Sequence, residues 1–150
     1  MASAAAGAAV PSQCVRQQWT PDDDIRETYS RRSVQIIDLA LRGDVKGLAP
    51  FVSPSAAFAV WEGDLGLGRK VGVDGAVEFA KEMGATNYRY VVALAGPSSS
   101  HACDRQKVTV WFYRLSEPRA YIATFTYLRG KLVDAVASAG SLSEGKVGLR

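Results

Sequence analysis

LRGDVKGLAPFVSPSAAFAVW, Leu41 to Trp61, joins the end of one amphipathic helix to the first strand of the chain. Gly43 is free to adopt the left-handed conformation that ends a helix, and the Asp44 carboxylate can cap the exposed amides of the next one. Val45, Leu48, Phe51 and Val52 give that second helix an apolar side, and Pro50, which has no amide hydrogen, cuts it short. Ser53-Pro54-Ser55 reads as a turn and Ala56 to Trp61 as a buried strand of small and apolar residues. Helix, Gly-Asp break, short helix, turn and strand predict an α+β domain.

Upstream of this stretch, WTPDDD (Trp19 to Asp24) carries the marks of a helix start. Thr20 can cap, Pro21 suits the first helical position, and three Asp residues favour the positive end of the helix dipole. Tyr29, Ser33, Ile36, Ile37, Ala40 and Leu41 then recur at helical spacing and predict the buried stripe. Arg31, Gln35, Asp38 and Arg42 fall opposite it, where Asp38 can pair with Arg42, so Asp38 reads as a solvated acid. Residues 1–18 open with MASAAAGAAVPSQC, which is rich in small side chains and resembles the cleavage side of a secretory signal but lacks a basic start and a Leu-rich core. They read as a disordered or trimmed leader, which leaves the compartment open. The domain is expected over residues 19–139, with 140–150 as a flexible tail.

Downstream, Glu62 to Gly72 holds four glycines in eleven residues, but not in the GxGxxG or GxxxxGK[ST] order that cradles phosphates, so it reads as a connection. Val73 to Met83 is a third helix with Val73, Ala76, Val77, Ala80 and Met83 as its apolar side and Asp74 in its first turn. Asn87 to Ala95, Gln106 to Leu115, Arg119 to Leu128 and Lys131 to Ala139 are β-branched and aromatic runs expected to pair antiparallel. Ser116-Glu117-Pro118 and Arg129-Gly130 are short enough to be hairpin turns. In Arg119 to Leu128 both alternating faces are apolar, and a sheet with two apolar faces must be covered on both. Helices can cover one, and the expected cover for the other is a second copy, giving a homodimer through the sheet.

Composition narrows the function. A chain of 150 residues with 47% hydrophobic content forms a single domain that buries about 68–70% of its unfolded surface. The charge of +3 is scattered rather than gathered into a stripe, which argues against nucleic acid. No apolar run approaches the ~20 residues of a membrane span. Cys14 and Cys103 lack the spacing of a metal site and read as free thiols, or as one disulfide if the protein is exported. His101, in SSSHACD, reads as an exposed loop histidine, and no cofactor or metal is called for.

The order of elements, carried by LALRGDVKGLAPFVSPSAAF, GVDGAVEFAKEM and ATFTYLRGKLVDAVAS, resembles the nuclear transport factor 2-like superfamily, in its SnoaL-like and ketosteroid-isomerase-like branches. The resemblance implies a cone-shaped, cystatin-like α+β fold, with a curved antiparallel sheet packed on three N-terminal helices. It also implies a negative. The isomerase base falls at Val60, the oxyanion-hole tyrosine at Ile36, and the second acid at Ala123 or Thr124, so ketosteroid isomerisation is not expected.

An Arg129-Gly130 turn would set Tyr127 against Leu132, Phe125 against Asp134 and Ala123 against Val136. With the cone interior implied by the resemblance, Asp134 would then face inward as a candidate catalytic acid or base. The competing reading is an outward Asp134, since a one-residue slip reverses the face. Val60, Trp61, Tyr90, Tyr121, Phe125 and Tyr127 are the candidate lining of a pocket for a small apolar or aromatic ligand. The inward parity of residues 106–115 stays open between Trp111 with Tyr113 and Phe112 with Arg114. The function expected is a small-molecule-binding domain, with acid-base lyase, isomerase or cyclase chemistry. The alternative is a non-catalytic dimerisation or binding module whose cone is closed by its own side chains.

Overall fold

The helical spacing from Tyr29 to Leu41 marks the face that the first helix buries. A computed structural model describes residues 22–62, 65–67, 70–84, 89–93, 105–113 and 119–141. In it α1, Asp22–Leu41, encloses Tyr29, Ser33, Ile36, Ile37 and Ala40 completely or nearly so, while Leu41 is half-buried. Asp38 and Arg42 are exposed, as their positions on the stripe's far side require. Gly43 takes a φ of 67°, and Asp44 Oδ1 accepts from the amide of Gly47 at 2.9 Å to start α2, Val45–Leu48. Arg32 reaches from α1 to lie 4.6 Å over the Phe51 ring, a cation–π contact that holds the two segments together.

β1, Val52–Glu62, begins earlier than expected. Ser53-Pro54-Ser55 is part of this strand and not a turn. Val52 pairs with Leu132, and pairing resumes only at Ala57 with Asp134. The irregularity between them absorbs Pro54, which cannot donate to a regular ladder. The Gly-rich connection contains β2, Leu65–Leu67, which folds back antiparallel on β1 with Val60 opposite Leu67. α3, Gly72–Met83, follows, then β3, Arg89–Ala93, β4, Gln106–Tyr113, β5, Arg119–Leu128, and β6, Lys131–Ser141. β6 thus takes in the first two residues of the expected tail.

The strands form one six-stranded sheet in the order β2-β1-β6-β5-β4-β3. β3 to β6 pair antiparallel in sequence order, whereas β1 inserts beside β6 in parallel. Arg129 and Gly130 both have positive φ, 53° and 81°, the geometry of a two-residue hairpin whose twist matches the strands.

α1 packs over β4 and α3 over β1, so one face of the sheet is the inner face. Phe79 of α3 links the layers, with ring centroids 5.4 Å from Phe58 and 6.3 Å from Phe125. The sequence stripe for this helix omitted Phe79, which is 1% exposed. Its approach depends on Gly75: a Cβ there would lie 2.6 Å from the Lys70 carbonyl oxygen and 2.8 Å from the Phe58 ring.

Candidate functional site

On the inner face, Val60, Phe125 and Tyr127 have no exposed surface and Tyr121 has 3%. A side chain lining a void wide enough for water would retain accessible area, so these candidates are packed against neighbours where the sequence reading put a pocket wall. Ile36 and Ala123, two of the positions at which the resemblance would require polar chemistry, are enclosed in the same layer as Val60. Thr124 lies on the opposite face, where its hydroxyl is 3.2 Å from that of Thr109. Strand parity is settled in β4: Phe112 points inward and Trp111 and Tyr113 are half-buried on the other side. Tyr90 is paired with Phe112 in the register; its side chain lies outside the described residues, as do His101, Cys14 and Cys103.

Within the inner layer a polar chain links β5 to α1. Ser33 Oγ donates to the Tyr29 carbonyl at 2.8 Å, and its only proton is thereby used. The Tyr127 hydroxyl, 2.8 Å away, is therefore the donor to Ser33 Oγ. Burial pushes the Tyr127 and Tyr29 hydroxyls above the ordinary tyrosine value, which keeps both protonated at neutral pH. The Tyr29 and Tyr127 rings meet at 4.6 Å. One helical position away, Ser30 Oγ is buried and has no hydrogen-bond partner among the described residues. Sequence spacing identified Ser33 but gave no reason to single out Ser30.

Asp134 departs from its expected position. Tyr127 pairs with Leu132 as the turn predicts, but the next pair is Thr126 with Asp134 and the one after is Phe125 with Ala135. Val133 is an extra residue in β6, a bulge that reverses the face of everything beyond it. Asp134 thus lies on the outer face beside Thr126, and Ala135 takes the inner place next to Phe125. Partial burial raises its carboxyl above the ordinary value, against the opposing pull of the Lys107 and Arg105 cations.

The outer face is built in rows. Ala57, Asp134, Thr126 and Lys107 form one, Ala59, Val136, Thr124 and Thr109 the next, and Trp61, Ser138, Ile122 and Trp111 the third. Trp61 is 44% exposed and Leu128 38%. Trp61 thus lies on this face and not in the inner layer with Val60, Tyr121, Phe125 and Tyr127.

A separate cleft of about 260 Å³ runs along the exposed side of α3, lined by Lys70, Asp74, Val77, Glu78, Lys81 and Glu82. The Lys70 amide donates to Glu78 Oε1 across it at 3.3 Å. Glu78, Lys81 and Glu82 fall outside the helix's apolar stripe in the sequence and Val77 within it, a pattern that gives no sign of a concavity. Among the described residues no cluster of three His, Cys, Asp or Glu side chains has the arrangement of a metal site, and no helix is long and apolar enough to cross a membrane.

No protein-family model matches the chain, and no curated protein matches it in sequence. Solved structures do resemble it. An NTF-2 like protein of unknown function from Silicibacter pomeroyi superposes with a TM-score of 0.52 at 13% identity, covering 76% of this chain and 96% of that one. A protein of unknown function from the DUF3225 family of Pectobacterium atrosepticum gives 0.51 at 14% identity, covering 79% and 92%. A cystatin-like fold protein from Burkholderia xenovorans gives 0.45 at 12% identity, covering 80% and 95%. The chain has the nuclear transport factor 2-like α+β fold, with three described helices and an open six-stranded sheet.

Proposed function

We propose that this domain works as a self-associating module, a homodimer formed through the outer face of the sheet, rather than as a catalyst with an open cone. The observation that carries the reading is the contrast between the two faces. Phe125 and Tyr127 are fully enclosed on one side, while Trp61 and Leu128 stand 44% and 38% exposed on the other. Half-buried Trp111, Ile122, Val133 and Val136 extend that apolar surface between them. Large apolar side chains left open on one face, here interspersed with hydroxyls and the Asp134 and Lys107 charges, are a usual mark of an interaction surface, and a second copy supplies a matching one. Light scattering after gel filtration at micromolar concentration tests it. A dimer mass that falls to a monomer mass in Ile122→Arg, with helix and strand content unchanged, is the expected result, and a monomeric native protein would refute it.

A second reading, a small-molecule-binding domain, is favoured by Ser30 alone. A wholly buried hydroxyl without a partner is unfavourable, and a ligand entering beside α1 would give it one. Native mass spectrometry of freshly purified protein tests this. An adduct of constant mass that is lost in Ser30→Ala supports a ligand; a bare protein mass in both rejects it.

A further inference from the structure

We infer that the two-fold axis of this dimer runs along β5, so that Asp134 of each protomer faces Lys107 of its partner. The inference rests on the self-association reading above and adds to it a register. β6 and β4 flank β5 on either side, and Asp134 and Lys107 are the two neighbours of Thr126 in a single row. Within one protomer they stand two strand spacings, about 10 Å, apart. Lys107 acts on Asp134 only electrostatically, with no hydrogen bond between them. Thr126, which is 2% exposed, fills the position between.

A two-fold axis lying in the interface along β5 exchanges left and right, and so stacks β6 of one copy on β4 of the other. Three matches follow from the rows. The Asp134 carboxylate meets the exposed Lys107 ammonium, with Arg105 just before β4 as a further cation on the approach. Small, exposed Ser138 meets the half-buried Trp111 indole. Val136 meets Thr109, which is 8% exposed. Ile122 and Thr124, on the axis itself, meet their own copies. An axis across the strands would instead stack β6 on β6, setting Asp134 near the partner's Ser138 and burying both carboxylates with no cation opposite. An isologous interface needs a surface that complements itself under the symmetry operation, and one anion and one cation placed evenly about β5 meet that need.

Charge reversal by mixing tests the register. Asp134→Lys alone and Lys107→Glu alone each set like charges together twice per dimer, and each is expected to weaken self-association at least about tenfold. Mixed in equal amounts, the two variants restore both opposite-charge contacts, so heterodimers exceed the one half that random pairing gives in native mass spectrometry. Circular dichroism verifies that each variant is folded. If either is not, Asp134→Asn mixed with Lys107→Gln serves, since only the heterodimer then keeps one intact pair. Random mixing of well-formed dimers would overturn the β5 axis while leaving the dimer standing; a native chain that is monomeric would overturn both.

Discussion

The Tyr127 hydroxyl donates to Ser33 Oγ across 2.8 Å, joining the last inner-facing residue of β5 to the middle of α1 inside a mainly apolar layer. The direction of that bond makes its two ends unequal. Ser33→Ala strands a buried donor and is expected to cost about 1–3 kcal/mol, whereas Tyr127→Phe leaves Ser33 still bonded to the Tyr29 carbonyl and costs about 0.5–1.5 kcal/mol. Urea unfolding of both, and of the double variant, checks it. The double variant should lose less than the sum, because each change removes the same bond.

Gly75→Ala is expected to lower stability by about 1–3 kcal/mol through overpacking. The added methyl would press on the Lys70 carbonyl and the Phe58 ring, both held in place by the layers around them. A fall of several degrees in the melting midpoint is the readout; an unchanged midpoint would mean that α3 can lift from β1 without loss.

Phe79 is nearly fully enclosed and stacks between Phe58 and Phe125. Phe79→Ala should cost about 3–5 kcal/mol, a large part of the ~5–15 kcal/mol of a typical domain. Phe79→Leu, which keeps most of the volume, should recover much of it. Denaturant midpoints for the pair measure the difference.

Asp134 gives a pH dependence of definite sign. Partial burial raises its folded-state pKa above the ordinary carboxylate value, so the folded chain holds this proton more tightly than the unfolded one. The stability linked to the proton is fully present below the unfolded value and is lost as pH rises through the folded one. At dilutions where the protein is monomeric, Asp134→Asn should therefore be slightly more resistant to urea than the native chain at pH 7, with the gap closing toward pH 3. A gap that widens on acidification would contradict the sign.

The parts of this fold that were legible in the sequence are those fixed locally. The Gly43-Asp44 break is decided by one left-handed residue and one carboxylate three positions from the amide it caps. The Arg129-Gly130 hairpin is likewise decided by its own two dihedrals. What was not legible depends on partners distant in sequence. Nothing near Val133 announces a bulge, because the bulge exists only against β5, and with it went the expected inward Asp134. Ser53-Pro54-Ser55 carries the composition of a turn, but it lies between two pairs, Val52 with Leu132 and Ala57 with Asp134, that tie β1 to a strand some eighty residues away. Phe79 escaped because its neighbours Phe58 and Phe125 come from two other strands.

The parallel pairing of β1 with β6 joins the first described strand to the last, with the whole β3–β5 meander between them in sequence. During synthesis β1 therefore emerges long before its neighbour and waits with one backbone edge bare until residues 131–141 have left the ribosome. The helices and the β1–β2 hairpin can form early, but the sheet closes around its central strand only at the end. A nascent chain arrested before Lys131 should remain open to protease, and the bare edge of β1 is where mispairing between chains would begin.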